Sequence, residues 1–488
     1  MANVKQKSIR KNFLWNTSLR ILNIIFPLIT FPYIARVLSP QGIGKVDFSM
    51  SVIQYFILIA QVGIPMYAIR ECAKYREDKE KLSKTVQEIL LINSVMVIIS
   101  FTLFSITILN VGSLSNYKTL LVIMSINIIT TCLGIEWFYQ AIEEYRLITI
   151  RSVLVKFLSL IFVFALIKDD SDYILYGIIL VLSVSLGYLY NFIHLNKYIK
   201  LFKRNSEYNF KKHIRPILVL FAMSLSISIY VELDKVMLGI IVGDESVGFY
   251  TAASKIVKVV LALVTSLGVV LLPRMSYYIE NNMNEEVNRL IKKSLDFILL
   301  ISIPSTIGII MLSEPIIILF AGKEFLPASS TIMIIAPTII AIGLSNLIGV
   351  QILISYGKEK ITVLSTIVGA IVNFTLNMLL ISKFKQDGAA VGTLIAEFTV
   401  LFVQIYFSIN IIKENVNFKS IFHYLIGSIL IGLTCLLFNH LISHLLIRTV
   451  FSISFSLCIY FFTLYILRNK IVYELANEII KKYFKKFA

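Results

Sequence analysis

The chain is 488 residues long, 57% hydrophobic and 15% charged, with 46 Lys and Arg against 29 Asp and Glu for a net charge of +17. Soluble domains are about 45–50% apolar and about 25% charged, so this composition excludes both a water-soluble globule and a disordered chain. Four cysteines exclude a disulfide scaffold, and lysines spread through short gaps between apolar runs favour a membrane partner over a nucleic acid.

A helix needs about 20 mostly apolar residues to cross a bilayer. Such runs predict fourteen spans, at 13–37, 43–69, 86–109, 118–138, 148–167, 174–196, 216–242, 248–272, 294–318, 328–355, 361–382, 388–411, 421–441 and 449–467. The first follows a basic segment, Lys5, Lys7, Arg10 and Lys11, but is too long for the apolar region of a signal peptide, so it is read as a retained span. Barrel strands would be about ten residues long and alternating. The predicted fold class is therefore an all-α polytopic membrane protein.

An even number of spans places both termini on one side. With Met1 in the cytoplasm, inner segments hold 33 basic residues and outer segments 7, the bias expected when positive charge stays inside. Arg151 is counted among the inner cations. The tail, 468–488, carries an apolar stripe at Val472, Leu475, Ile479, Tyr483 and Phe487 among lysines. It reads as a cytoplasmic amphipathic helix on the inner leaflet, or as a solvated basic tail.

Setting 33–53 above 237–257, an offset of 204, places Gly44 on Gly248 and Arg70 on Arg274. Asp47, Ser51, Gln54 and Gln61 then match Thr251, Lys255, Lys258 and Thr265. Six spans separate the copies, so they run in the same direction, a parallel repeat. The implied organisation is two six-helix halves, 1–200 and 201–412, two added helices in 413–467, and the tail 468–488.

At 3.6 residues per turn, Asp47, Ser51, Gln54 and Gln61 share an arc of about 80°. Span 1 carries a stripe of Asn16, Arg20, Asn23 and Pro27, and span 7 one of Ser224, Ser228, Glu232 and Lys235. Charged groups in spans normally face the bundle interior or a wet cavity, so spans 1, 2, 7 and 8 are predicted to line a hydrophilic chamber. Glu232 and Lys235, at i and i+3, can neutralise each other. Lys255 and Lys258 have no acidic neighbour on their own helix. With Arg20, and Arg36 nearer the outer end, they would favour an anionic ligand; pairing with carboxylates on other helices is the alternative. Glu136 and Glu397 stand alone in their spans, and a desolvated carboxylate can carry a proton. They are the candidates for coupling to an H+ or Na+ gradient; a cap or a pair with a cation from another part of the chain is the alternative.

Other features are discounted. Asp169, Asp170 and Asp172 sit in a short outer loop, and His440 and His444 have no third ligand. Cys72, Cys132, Cys435 and Cys458 show no paired spacing. Pro27, Pro32, Pro65, Pro304, Pro315 and Pro337 can bend or break spans. No metal, cofactor or phosphate loop is expected, and a catalyst is not predicted.

The segments NFLWNTSLRILNIIFPLITFPYIARVLSPQGIGKVDFSMSV, GIPMYAIRECAKYRED, LDKVMLGIIVGDESVGFYTAASKIVKVV with LLPRM, and ISYGKEKITVLSTIVGAIVNFTLNMLLI with GAAVGTLIAE resemble Wzx-type polysaccharide repeat-unit flippases of the MOP exporter superfamily. The resemblance covers essentially the whole chain and implies the MATE-like fold of that superfamily. It also implies transfer of undecaprenyl-pyrophosphate-linked oligosaccharide from the inner to the outer leaflet by alternating access, for O-antigen, capsule or exopolysaccharide. The partners would be that lipid, the bilayer and polysaccharide polymerase or assembly proteins. The protein would act as a monomer in a bacterial plasma membrane with both termini cytoplasmic. A lipid II flippase and a MATE-like cation antiporter are the alternatives; the lysines of span 8 argue against the antiporter.

Overall fold

A computed structural model of the protein describes residues 9–201, 208–266, 268–474 and 477. Among the described residues the regular elements are helices. In chain order they begin with α1 (Ile9–Gln61), α2 (Ile64–Lys74), α3 (Lys79–Asn110), α4 (Lys118–Gly134), α5 (Glu136–Ala141), α6 (Tyr145–Leu166), α7 (Tyr173–Leu195) and α8 (Lys211–Ile241). They continue with α9 (Asp244–Thr265), α10 (Gly268–Glu280), α11 (Asn284–Met311), α12 (Ser313–Ala321), α13 (Ala328–Ile335), α14 (Thr338–Ser345), α15 (Glu359–Ile412), α16 (Phe418–Leu441) and α17 (Leu445–Ile466). Eleven described helical stretches are long and apolar enough to cross a membrane.

Two of these stretches carry two predicted spans each. α1 breaks at Ser39 (φ 57°, ψ 170°). Pro40 drives the preceding residue out of the helical region and starts the next helix. α15 breaks at Lys385 (φ 51°, ψ −131°). With these breaks, every predicted span falls on helical structure.

Several spans expected to be continuous are interrupted. Span 2 breaks at Val62–Gly63 (φ 40° and 77°) and span 4 at Ile135 (φ 26°). Span 8 ends as α9 at Thr265, and span 9 is cut at Leu312. Span 10 is cut at Ala336–Pro337 and continues from α14 into a π-helix, Asn346–Leu353. Pro65 and Pro315 lie in the first turns of α2 and α12, and Pro337 directly precedes α14. Proline lacks the N–H that a first helical turn leaves unpaired anyway, so these prolines start helices rather than bend them.

The breaks repeat the 204-residue offset. Segment 40–61 of α1 corresponds to α9 (Asp244–Thr265), and Ile64 at the start of α2 to Gly268 at the start of α10. Ser39 corresponds to Gly243 (φ 112°).

The chain forms two compact units, Met1–Gly248 and Phe249–Ala488. In the first, α1 packs along α3, α4, α6 and α8, and α2 on α5. Its core holds Val86, Ile89, Trp137, Phe138 and Tyr139. α8, assigned by the repeat to the half 201–412, packs in this unit against α1 and α2. The repeat records local pattern, whereas the units record which helices touch.

In the second unit, α15 folds back on itself. A Cβ on Gly388 would lie 2.5 Å from the Leu380 oxygen, Gly392 faces the Asn377 side chain, and Gly369 faces Val400. Gln404 Nε2 donates to Ser365 Oγ at 3.1 Å. These pairs define a tight antiparallel helical hairpin whose small residues let the backbones approach. α16 packs on α11 and α17, and Tyr460 Oη donates to the Leu300 carbonyl at 2.8 Å. Of the predicted tail stripe, Val472 is buried beside Tyr424 and Tyr460; residues 475, 476 and 478–488, and the basic cluster at 5–7, lie outside the described residues.

Candidate functional site

The polar faces of spans 2 and 7 meet within the first unit. Ser51 Oγ donates to Glu232 Oε2 at 2.7 Å, and Lys235 Nζ donates to the same oxygen at 2.9 Å. Ser51 is buried, while Glu232 and Lys235 are largely withdrawn from solvent, with 19% and 16% side-chain exposure. Asp47 lies one turn from Ser51 and is half-buried, and Asp234 beside Glu232 is 4% exposed. Charges at membrane depth persist when they are paired and hydrogen-bonded. Gln54 and Gln61 are half-buried on the same helix.

The stripe of span 1 faces elsewhere. Lys156 Nζ, from α6, donates to Asn23 Oδ1 and lies 5.6 Å from the Phe26 ring. Asn16 is half-buried. Arg36 is exposed and donates to the Pro32 carbonyl of its own helix at 2.6 Å. The side chains of Arg20, Ser224 and Ser228 lie outside the described residues.

In the second unit, Lys255 is half-buried and Lys258 exposed. Neither is an isolated cation: each is engaged by a neighbouring group. The absence of an acidic residue on their own helix therefore does not leave them unpartnered.

The two lone carboxylates are not alone. Glu136 pairs with Arg151, which is 8% exposed and also donates to the Gly187 carbonyl at 3.1 Å. Arg151 is thus a buried partner and not an inner-loop cation. Glu397 is 9% exposed within the α15 hairpin and also has a partner. Asn373 and Asn377 are buried on the facing arm, joined at 3.2 Å.

Lys156 and Arg151 were missed as site residues. Lys156 belongs to no polar stripe, and Arg151 lies 15 residues from Glu136 on the next long helix, a pairing that no periodicity rule reveals.

The discounted motifs are structural. Asp170 accepts from Ser39 Oγ at 2.8 Å, and Asp172 accepts from the Lys168 and Asp169 amides. The His444 side chain caps α17.

This architecture, an all-helical polytopic chain with repeated helix breaks and charged groups held inside its spans, is that of a membrane transporter. The profile of the family described as "Polysaccharide biosynthesis protein" matches residues 9–279, more than half the sequence, and the chain belongs to that family. The MatE profile matches residues 216–379. The chain is 24% identical over 408 residues to a putative O-antigen transporter of Escherichia coli strain K12, covering 83% of this chain and 98% of that protein. It is 22% identical over 402 residues to the capsular polysaccharide biosynthesis protein CapF of Staphylococcus aureus, covering 81% and 98%. The solved lipid II flippase MurJ, in an inward-closed conformation, matches with a TM-score of 0.74 at 18% identity, over 94% of this chain and 100% of that one. That likeness establishes the fold.

Proposed function

We propose that this protein carries lipid-linked oligosaccharide repeat units from the inner to the outer leaflet of a bacterial plasma membrane, with both termini cytoplasmic. The observation that carries the reading is the end-to-end likeness to proteins named O-antigen transporter and capsular polysaccharide biosynthesis protein. The buried ionic cluster Ser51–Glu232–Lys235 within the spans supports it. The cargo is an oligosaccharide on undecaprenyl pyrophosphate. Its pyrophosphate needs cations, the role proposed for Arg20, Lys255 and Lys258. Its sugars need neutral hydrogen-bonding groups such as Gln54 and Gln61. Glu397, buried in the hairpin, is the proposed proton-coupling group. The protein acts as a carrier, handing its cargo to polymerase and assembly proteins.

Complementation tests this. Expressed in a flippase-null strain, the chain should restore surface polymer. Restoration of lipid II transport without surface polymer would assign it to peptidoglycan precursors instead, and restoration of neither would overturn the reading.

A further inference from the structure

Two helix breaks of the first unit come together. One separates α1 from α2 at Val62–Gly63, the other α4 from α5 at Ile135, and α2 packs on α5. Each break frees a backbone carbonyl, and each carbonyl is claimed by a buried asparagine from another helix. Asn93 Nδ2 donates to the Ala60 carbonyl at 2.8 Å, and Asn191 Nδ2 to the Gly134 carbonyl at 2.6 Å. Non-helical backbone at membrane depth persists where it is buried or lines a wet cavity, and left-handed non-glycine residues such as Val62 and Ile135 hold strain that their surroundings must sustain.

Between the breaks lies a cavity of about 220 Å³. Its lining includes the polar residues Gln61, Gln140 and Glu136 and the aromatic residues Trp137 and Tyr188. Arg151 holds Glu136 while the carboxylate side chain stays 38% exposed. The pair carries no net charge, yet it presents acceptor oxygens. Neutral amides and a charge-compensated carboxylate beside aromatic faces match a ring bearing hydroxyls on its edges and C–H groups on its faces. A cation would find the carboxylate already satisfied. An acidic sugar would set its own carboxylate against the acceptor oxygens of Glu136.

We propose that this cavity is a subsite for one neutral or N-acetylated pyranose ring of the transported oligosaccharide. The proposal rests on the carrier reading above, and it assigns Gln61, Gln140 and Glu136 to cargo recognition. Paired discontinuous helices are where transporters place binding sites; here both discontinuities are fixed by side chains rather than by the ligand, so the subsite stands ready before cargo arrives.

Trp15 and Trp137 are the two tryptophans of the chain, so a Trp15→Phe protein reports the cavity through Trp137 emission. Purified in nanodiscs, it is titrated with methyl galactoside, N-acetylglucosamine, glucuronate and tetraethylammonium. A neutral pyranoside should change the emission saturably, with half-saturation in the millimolar range. Gln61→Ala and Gln140→Ala should each weaken that response about two- to tenfold, the range of one neutral hydrogen bond. The subsite is refuted by an emission deaf to both pyranosides, by an undiminished response in the double Gln variant, or by preference for glucuronate or tetraethylammonium. The two readings fail separately. Pyranoside binding without surface polymer in the null strain removes the carrier and keeps the subsite; polymer without a Trp137 response does the reverse.

Discussion

Gly44 and Gly248 are related by the 204-residue offset, and each presses on a backbone carbonyl at the start of the other's helix. A Cβ on Gly44 would stand 2.5 Å from the carbonyl carbon of Asp244 and closer to its oxygen; one on Gly248 would stand 2.8 Å from the carbonyl carbon of Pro40. Tyr117 Oη donates to Asp244 and clamps the same turn. A Gly44→Ala substitution cannot be absorbed by a side-chain rotation, because the atoms met are backbone. To restore the 3.4 Å of ordinary contact at the carbonyl oxygen, the two helices must part by well over 1 Å. Overpacking of this kind costs about 1–3 kcal/mol, which shifts the equilibrium away from the closed contact roughly 5- to 150-fold. Ser246, 5% exposed on the first turn of α9, reports it. In a cysteine-free background, Ser246→Cys should react slowly with an impermeant maleimide, and adding Gly44→Ala should raise the rate by at least fivefold. Gly248→Ala should act likewise through Pro40. An unchanged labelling rate in folded Gly44→Ala protein would refute the reasoning.

Three further predictions concern topology, pH and the buried ion pair. In the same cysteine-free background, exposed Ser113→Cys and Ser171→Cys should label from outside intact cells or spheroplasts, and Asn282→Cys only after lysis; outside labelling of Asn282→Cys would reverse the orientation. His213, preceding span 7, is fully buried between Tyr67 at 2.6 Å and Glu88 at 2.8 Å, with Lys212 on the same carboxylate and Glu71 nearby. Burial holds its imidazolium pKa below the ordinary value against the pull of Glu88. A depressed histidine costs the folded state nothing above its unfolded pKa of about 6.5 and destabilises it as pH falls below that value. Thermal stability should therefore drop between pH 7.5 and 5, and His213→Gln should flatten the profile; an unflattened profile would assign the drop to another group. Arg151→Gln should destabilise by about 1.5–3 kcal/mol, the range for a hydrogen bond to a charged group, and adding Glu136→Gln should recover part of it. A double-variant loss equal to the sum of the two single losses, read by thermal unfolding in nanodiscs, would mean the two residues are not coupled.

The spans and the family resemblance were legible in the sequence because a bilayer imposes one dominant requirement, a long apolar run. The repeat was legible as polar spacing, and the matched starts of segments 40–61 and 244–265 give it a structural counterpart. The breaks at Val62–Gly63 and Ile135 were not legible. Hydropathy continues unchanged across them, and the asparagines that hold them, Asn93 and Asn191, lie on other helices. The meeting of Ser51 with Glu232 was partly legible, since both lie on polar faces assigned to one chamber. The facing of Asn23 toward Lys156 was not, because a stripe shows which residues share a face but not which helix that face meets.

The central claim is movement of a pyrophosphate-linked oligosaccharide between leaflets, with the lysines of α9 engaging the pyrophosphate. It is tested most directly in proteoliposomes loaded symmetrically with undecaprenyl-pyrophosphate oligosaccharide. After outer-leaflet sugar is cleared by an added glycosidase, the reappearance of cleavable sugar measures movement. Wild-type protein should make the inner pool available within the assay, and Lys255→Gln/Lys258→Gln, matched for protein level and fold, should slow this tenfold or more, since each charged hydrogen bond contributes about 1.5–3 kcal/mol. Inner-pool sugar that stays protected with wild-type protein, as in empty liposomes, would contradict the account.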